Sequence, residues 1–353
     1  MDPQAEPRMA VRDPLAGRIP VSVVTGFLGS GKTTLINRLL KRPDMKRVAV
    51  IVNELGEVGI DNDLVEVSSE QMMLLNNGCL CCVLRGDLEE TMRDLFIKRR
   101  NGEIIDFDRV VIETTGLADP APVMQTLMTD TMLEEQYRLD CVVTLVDAVN
   151  GLGQIATLPE PVKQAALADR LVVTKSDLAD AANLHELEAK LRDLNPPAPI
   201  RRALHGEVEL AFLVDVGLRD VKGKLEDIAR WLGAEAHSEE HAHEAGQTHA
   251  HDVAITSFCL RFERPFPWTV FTQCMDVLTS LRGPDLLRVK GLVNVESHTG
   301  PLVIQGVQHL FHPPLELAAW PSTDHTSRLV FITRGIPRQL VENLFGAVGA
   351  LNA

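Results

Sequence analysis

The chain has 353 residues, of which 45% are hydrophobic and 24% are charged, and its formal net charge is −14. At roughly 150 residues per domain, this length allows two domains, and the composition is ordinary for a folded chain rather than a disordered or fibrous one. The excess of acidic side chains argues against a surface that neutralises nucleic-acid phosphates or anionic lipid, so we expect neither nucleic acid nor a membrane as a partner.

The N-terminal segment, residues 1–19, is predicted to be a flexible tail. It mixes charged side chains with prolines and lacks the apolar stretch of a secretory signal peptide. Three of the six cysteines lie close together, at Cys79, Cys81 and Cys82, and the others lie singly, which is not a disulfide framework. The longest apolar runs are strand-sized, far below the roughly 18 to 20 residues of a membrane helix. We therefore expect a cytoplasmic protein.

Residues 20–233 are predicted to form an α/β domain with a mostly parallel sheet. Short β-branched and apolar runs indicate strands at residues 21–25, 48–53, 109–113, 141–147 and 171–174, and helical spacing of apolar residues indicates helices at 33–41, 86–100 and 184–194. Continuous apolar strands separated by helices are typical of a parallel sheet covered on both faces. Three prolines within residues 195–199 end the last helix, and residues 210–216 and 221–232 are expected to complete the domain.

The rest of the chain is predicted to be a linker, residues 234–252, and a smaller α+β domain, residues 253–353. The linker holds five histidines among acids and small residues, which indicates a solvated spacer or a weak metal buffer. Beyond it, the pattern indicates strands at 253–263, 286–297, 301–311 and 327–333 and helices at 268–281 and 337–345.

A phosphate-binding loop is predicted directly after the first strand, where residues 26–33 match G-x-x-x-x-G-K-[ST] and open into a helix. Glycines let backbone N–H groups face the phosphates, Lys32 can reach the β and γ oxygens, and the Thr33 hydroxyl can bind Mg²⁺. The predicted nucleotide-binding residues of this loop are Gly26, Gly29, Ser30, Gly31, Lys32, Thr33 and Thr34. A glycine-rich turn without a ligand is the alternative.

A second acidic group is predicted where the strand at 109–113 ends in Glu113-Thr114-Thr115-Gly116. Glu113 is the candidate for holding the Mg²⁺ shell. The backbone N–H of Gly116 could approach the γ-phosphate and move when that phosphate leaves, as a switch does. Alternatively, Glu113 caps the next helix or pairs with a lysine.

A base-recognition element is predicted at Thr174-Lys175-Ser176-Asp177, which resembles N-K-x-D with Thr in the first position. A carboxylate at Asp177 can accept hydrogen bonds from N1–H and N2–H₂ of guanine, a donor pair that adenine lacks. The alternative is a plain turn in which Asp177 caps a helix.

A metal site is predicted at Cys79, Cys81 and Cys82, which we expect to share a turn before the helix that starts near residue 86. Thiolates favour Zn²⁺ and similar metals, and three sulfurs leave one tetrahedral position open. Glu54, Glu57 or an incoming client protein could supply the fourth ligand. The alternative is three packed or redox-active cysteines.

In their order along the chain, these motifs resemble those of the CobW family of metal-handling GTPases. The resemblance covers residues 26–33, the Asn53-Glu54 to Glu57 loop, residues 78–82, 113–116 and 174–177, the His-rich linker and the C-terminal domain. It implies a nucleotide domain of the SIMIBI class of P-loop proteins, with GTP and Mg²⁺ as cofactors. It also implies a zinc or related divalent ion on the cysteine motif, with Cys81 and Cys82 as thiolate ligands, and transfer of that ion to a client metalloprotein coupled to GTP hydrolysis.

Two departures from the family pattern bear on the metal. Many members have Glu where this chain has Val52, and members assigned to cobalamin synthesis have a Cys-containing insertion that is absent between Asp63 and Asn76. These departures favour zinc, with Co²⁺ as the alternative.

The resulting hypothesis is a GTPase in which Lys32, Glu113 and Gly116 serve hydrolysis. Residues 54–63 and 116–120 would be its switch segments. A P-loop kinase or ATP-dependent synthase and a non-enzymatic zinc buffer are the alternatives.

Overall fold

The computed structural model describes residues 15, 17–42, 45, 47–52, 65–69, 72–75, 80–83, 87–204, 207–213 and 255–351. These residues belong to two units, whose main described parts are residues 17–213 and 255–351. Most of the predicted tail and the whole predicted linker, residues 234–252, lie outside the described residues.

A nine-stranded sheet forms the centre of the first unit. Its strands are β1 (Ile19–Gly26), β2 (Val48–Val52), β3 (Val65–Ser69), β4 (Met72–Leu75), β5 (Leu80–Val83), β6 (Arg109–Glu113), β7 (Tyr137–Asp147), β8 (Arg170–Thr174) and β9 (Ile200–Ala203). The spatial order is β3-β4-β5-β2-β6-β1-β7-β8-β9. In this spatial order, all neighbouring strands from β5 through β2, β6, β1, β7 and β8 to β9 pair parallel. At the other edge, β4 pairs antiparallel with both β3 and β5.

Eight helices are described in this unit: α1 (Lys32–Leu40), α2 (Leu88–Asn101), α3 (Ala121–Thr129), α4 (Thr131–Gln136), α5 (Gly151–Thr157), α6 (Pro159–Leu167), α7 (Ala181–Leu194) and α8 (Leu210–Leu213). One core cluster joins α1 to the sheet, because Leu35, Ile36 and Leu39 pack with valines of β2, β6 and β7. Burying each such aliphatic side chain stabilises the fold by about 1.5–3 kcal/mol. The predicted P-loop type α/β fold with a mostly parallel sheet is confirmed.

The predicted turn that holds all three clustered cysteines is wrong for two of them. Cys81 and Cys82 lie in β5, where their backbones pair with Val50 and Ile51 of β2. The strand is only four residues long, Leu80–Val83, and it begins two residues after the Asn76-Asn77-Gly78 sequence that suggested a turn. A second hydrogen-bonded neighbour, β4, completes its pairing.

An antiparallel sheet with helices forms the second unit. Its strands are β10 (Ile255–Phe262), β11 (Leu286–Val293), β12 (Leu302–Val307), β13 (Leu310–Phe311), β14 (Leu315–Glu316) and β15 (Ser327–Arg334), in the order β10-β15-β11-β12-β13 with β14 beside β12. The helices are α9 (Trp268–Arg282) and α10 (Arg338–Leu351). Their apolar side chains share one core with the sheet, in which Phe266 contacts Phe271 and Phe345 edge to face. The predicted smaller α+β domain is confirmed in class.

Within the described ranges, the helices are all too short or too polar to cross a bilayer.

Candidate functional site

The loop between β1 and α1 has a backbone that only glycine adopts readily. Gly29 and Gly31 have φ angles of 74° and 92°, in the left-handed region where other residues are strained. At Gly26 a Cβ would lie 2.4 Å from the carbonyl oxygen of Leu145. The loop therefore stays close to β7 and leads directly into the N-terminus of α1, which carries the partial positive charge that attracts anions.

Lys32, the first residue of α1, turns its side chain back over this loop. Its Nζ donates hydrogen bonds to the carbonyl oxygens of Gly26 at 2.8 Å and Phe27 at 3.2 Å. The residue is only 8% exposed, so its charge is held beside the loop rather than dispersed into solvent. A cation in this position can bind phosphate oxygens as a point charge.

Ser30 is buried in the same loop, and its Oγ makes no hydrogen bond with any residue that the structure describes. A buried hydroxyl without a partner costs about 1–3 kcal/mol. An oxygen atom of a bound ligand could supply that partner. The glycine cradle, the Lys32 ammonium and this hydroxyl together fit a phosphate group.

A hydroxyl and a carboxylate meet where β1 and β6 lie side by side. Glu113 is the last residue of β6 and is level with Val24 of β1. The Thr33 Oγ1 donates to Glu113 Oε1 at 3.4 Å. Such oxygen ligands are those that Mg²⁺ prefers, so this pair fits a magnesium ion next to the phosphate loop. Thr34, the next predicted residue, is exposed in the first turn of α1.

The segment after β6 lies against β1 and the phosphate loop. The Thr114 N–H donates to the carbonyl of Val24 at 3.0 Å, and the Thr114 Oγ1 donates to the Thr25 Oγ1 at 2.7 Å. At Gly116 a Cβ would lie 2.8 Å from the backbone nitrogen of Leu28. Glycine is therefore required where the predicted switch segment touches the phosphate loop.

The element predicted to recognise the base follows β8. The Thr174 Oγ1 donates to the carbonyl of Ser30 at 2.8 Å, which ties the end of β8 to the phosphate loop. Lys175 has a positive φ of 55°, and its Nζ forms an ion pair with Asp147 Oδ2 at 2.8 Å. Asp177 is exposed beyond them. The structure thus brings this element to the same edge of the sheet as Lys32 and Glu113.

Asp147 is a residue of this edge that the sequence analysis did not single out. It ends β7 and is buried, and its Oδ1 accepts from the Val149 N–H at 2.8 Å while Oδ2 accepts from Asn150 Nδ2 at 3.0 Å. Burial acts to raise the pKa of Asp147, but hydrogen bonds from Lys175, Asn150 and Val149 outweigh it and hold the pKa below its usual value. An acidic residue at the carboxyl end of an apolar strand was the available signal.

Most of the predicted zinc ligands, namely Glu54, Glu57 and Cys79, lie outside the described residues. For Cys81 and Cys82 only the backbone position in β5 is described. In the part of the chain that the structure does describe, no group of three or more His, Cys, Asp or Glu side chains could hold a metal ion.

Two cysteines outside this motif are packed in the cores, as expected for singly placed ones. Cys141 is buried in β7, and its Sγ donates to the carbonyl of Leu213 at 3.3 Å. Burial raises the pKa of the Cys141 thiol well above its usual value and that of Cys274 to about 11. Both thiols therefore stay protonated and are poor metal ligands.

Comparison with known proteins matches both units. The nucleotide-binding domain of the CobW/HypB/UreG family matches residues 20–202, and the C-terminal domain of the cobalamin synthesis protein cobW matches residues 255–348. The zinc chaperone YjiA of Escherichia coli K12 is 32% identical over 338 residues, 94% of this chain and 98% of YjiA. The zinc chaperone CobW of a Sinorhizobium species is 33% identical over 321 residues, 82% of this chain and 86% of that protein.

A solved structure is similar over nearly the same length. The crystal structure of the Zn(II)-bound YjiA GTPase from E. coli has a TM-score of 0.71 and 30% sequence identity, covering 94% of this chain and 99% of that chain.

Proposed function

The chain belongs to the CobW/HypB/UreG family, and from that premise we propose that it is a GTPase that carries zinc to a client metalloprotein. The observation that carries the nucleotide part of this proposal is the meeting of Thr33 and Glu113, 3.4 Å apart, beside the Lys32 ammonium at one edge of a parallel sheet. Ligands of such sheets bind at the carboxyl ends of the strands.

In the proposed complex the phosphates of GTP lie along the glycine loop. Its backbone N–H groups and the Lys32 ammonium bind the β- and γ-phosphate oxygens, and the Ser30 hydroxyl gains a hydrogen-bond partner. Thr33 and Glu113 would hold Mg²⁺, which supplies neutralisation of the charge on the β and γ oxygens when it is bound. Gly116, held against Leu28, offers its backbone N–H to the γ-phosphate.

Hydrolysis in this site depends on position and charge. The oxygen of a water molecule bonds to the γ-phosphorus while the bond from that phosphorus to the β–γ bridging oxygen breaks, which yields GDP and inorganic phosphate. In such a reaction the protein forms no covalent bond to the substrate and acts by positioning and electrostatic stabilisation. The contribution of Lys32 is to stabilise negative charge on the phosphate oxygens, and that of Gly116 is to hold the γ-phosphate by its backbone.

Selection of guanine is assigned to Asp177. Its carboxylate would accept from N1–H and N2–H₂ of the base, and adenine would leave that acceptor without donors. Thr174 supports the position by its hydrogen bond to Ser30, and Lys175 does so by its ion pair with Asp147.

Zinc is the proposed cargo. Cys79, Cys81 and Cys82 are proposed as its thiolate ligands, with Glu54 or Glu57 as the fourth, because this donor set suits a tetrahedral zinc ion. The relatives YjiA and Sinorhizobium CobW are both named zinc chaperones, which favours zinc over cobalt. We place this activity in the cytoplasm, where thiols stay reduced.

The test measures zinc and nucleotide together. Zn²⁺ affinity of the purified full chain is determined by chelator competition with a non-hydrolysable GTP analogue, with GDP and without nucleotide, and GTP hydrolysis is followed with and without zinc. Coupled function predicts that the nucleotide shifts zinc affinity and that zinc shifts nucleotide affinity by the same factor. A Cys81→Ser, Cys82→Ser variant should lose the tight zinc site.

A matched control is Cys259→Ser, which removes a thiol from β10 of the second unit and should bind zinc as the unaltered protein does. Equal zinc affinity in all three nucleotide states would refute the coupling. GTP hydrolysis indistinguishable from that of a Lys32→Ala variant would refute the GTPase itself.

A further inference from the structure

Side chains of helix α6 contact the segment that follows β6. The Gln164 Nε2 donates hydrogen bonds to the carbonyl oxygens of Gly116 at 3.1 Å and Ala118 at 3.0 Å. The neighbouring residue, Lys163, forms an ion pair with Asp119. Two successive side chains of α6 therefore hold residues 116–119, which are remote from α6 in sequence.

Gln164 is itself firmly placed. The residue is only 1% exposed, and its backbone carbonyl oxygen accepts a hydrogen bond from Thr144 Oγ1 of β7 at 2.8 Å. The α6 backbone that carries this donor side chain is consequently tied to β7 of the sheet. A buried side chain on a backbone tied to the sheet can restrain the segment to which it donates.

The other half of the Gln164 carboxamide has no evident structural purpose. Its Oε1 is buried without a hydrogen-bond partner among the described residues. Gln164 lines a cavity of about 10 Å³ with Phe27 of the phosphate loop and Gln154 of α5, which is about the space of one water molecule. An apolar side chain would fill this place without leaving an acceptor unpaired, so the donor nitrogen is what distinguishes glutamine here.

The restrained residue is the one that touches the phosphate loop. Gly116 lies so close to Leu28 that a Cβ would be 2.6 Å from Leu28 Cδ2. Glycine has the largest backbone freedom to lose on becoming ordered. A hydrogen bond that fixes the Gly116 carbonyl lowers the entropy lost when this residue binds a ligand.

We propose that Gln164 is a positioning residue for GTP turnover, whose carboxamide holds the Gly116–Ala118 backbone in the arrangement that meets the γ-phosphate. This inference rests on the proposed function, in which Gly116 contacts that phosphate. GDP has no γ-phosphate, and so Gln164 acts on GTP binding and hydrolysis and not on GDP binding.

The experiment compares two glutamines of the same cavity in the full chain. Gln164→Glu keeps the size of the side chain and removes both N–H donors. Gln154→Glu makes the same change in a side chain that forms no hydrogen bond in the described part of the chain and serves as the control. Gln164→Met, a neutral variant of similar length, is used if the carboxylate variant does not fold. The readouts are kcat and KM for GTP, the Kd for GDP, and the thermal midpoint.

We expect Gln164→Glu or Gln164→Met to lower kcat/KM for GTP about tenfold, as the loss of two neutral hydrogen bonds allows, with the Kd for GDP changed less than twofold. The control should match the unaltered protein. Parallel weakening of GTP and GDP, or unchanged hydrolysis in the folded variants, would overturn the inference.

Gly116→Ala separates this inference from the function on which it rests. If Gly116→Ala impairs GTP turnover and the Gln164 variants do not, only the inference fails. If Gly116→Ala leaves the KM and kcat for GTP unchanged, the proposed contact of Gly116 with the γ-phosphate fails.

Discussion

At the phosphate end of the candidate site the lysine and the carboxylate, Lys32 and Glu113, are buried, whereas at the base end the carboxylate proposed to bind guanine, Asp177, is exposed. Lys32 and Glu113 are each 8% exposed, and the nearby Gly26 and Gly116 leave no room for a Cβ. Asp177 is exposed, and the buried residues beside it, Thr174 and Asp147, act as its support. Under the proposed function, the phosphate end would supply binding and rate for any nucleotide, and the base end would supply selection of guanine.

The largest effect is expected at Lys32. Lys32→Ala removes the ammonium group that lies over the phosphate loop and donates to the carbonyls of Gly26 and Phe27. Loss of one electrostatic donor of this kind lowers kcat by about 10²–10³-fold in other enzymes. Steady-state hydrolysis of GTP, with phosphate release as the signal, measures this. A loss of less than threefold would mean that the phosphate end does not set the rate.

The next effect concerns magnesium and Glu113. Glu113→Gln leaves the Thr33 hydroxyl with a neutral neighbour in place of a carboxylate. Changes at residues that orient or bind a metal cost about 10–100-fold in metal affinity, so the Mg²⁺ concentration for half-maximal hydrolysis should rise by about that factor. An unchanged Mg²⁺ titration would show that Glu113 supports the fold and not the ion.

A smaller and more selective effect is expected at the base end. Asp177→Ala should weaken GDP binding about tenfold, because a hydrogen bond to a charged acceptor is lost, while ADP binding stays as weak as before. Competition between GDP and ADP for a fluorescent nucleotide measures the ratio.

The matched control for this experiment is Asp180→Ala. Asp180 is also an exposed aspartate, but its carboxylate caps α7 by accepting from the Asn183 N–H at 2.7 Å. Its loss should lower the free energy of unfolding by about 1 kcal/mol and leave the guanine preference intact. If both variants lose selectivity equally, Asp177 is a helix cap like its neighbour.

The smallest effect, a loss of stability, is predicted for Asp147, which forms an ion pair with Lys175 beside the base end. Asp147→Asn breaks a pair whose lysine side chain is 37% exposed, so solvent screening limits the loss in unfolding free energy at pH 7 to about 1–2 kcal/mol. Because the pKa of Asp147 is lowered by folding, the stability it supplies is present above the ordinary pKa of about 3.9 and is lost as the pH falls through the lower folded value.

Urea denaturation of both proteins at pH 7 and near pH 3 checks this sign. The two unfolding free energies should converge at the lower pH. A difference that is constant across this range would assign the effect of the substitution to packing.

The residues of the proposed phosphate end could be found in the sequence because they form short, continuous motifs. Residues 26–33 carry the loop, and Glu113 follows an apolar strand that could only end at the same edge. The family resemblance to CobW proteins is confirmed. The predicted GTPase and zinc-chaperone functions are confirmed by relatives that carry these names. Thr174 in place of the usual Asn is accommodated, since its hydroxyl donates to Ser30.

Contacts between distant elements were not predictable in the same way. Gln164 bonds to residues 46 and 48 positions earlier, and nothing in its neighbourhood in the sequence marks it. Asp147 likewise forms its ion pair with Lys175, 28 positions later. The edge strands β3 and β4 were missed because they are short, at five and four residues, with no glycine or proline between them.

The pairing of β2 with both of its neighbours fixes a distance. Cys82 of β5 and Ile112 of β6 are both in register with Ile51 of β2, so the three backbones form one rung of hydrogen-bonded strands. Ile112 directly precedes Glu113. At roughly 4.8 Å per strand, the strand of Cys82 and the strand that ends in Glu113 lie about 10 Å apart. The proposed zinc and nucleotide sites would thus lie on the same sheet, and the distance between them would be set by strand pairing and not by the length of any loop.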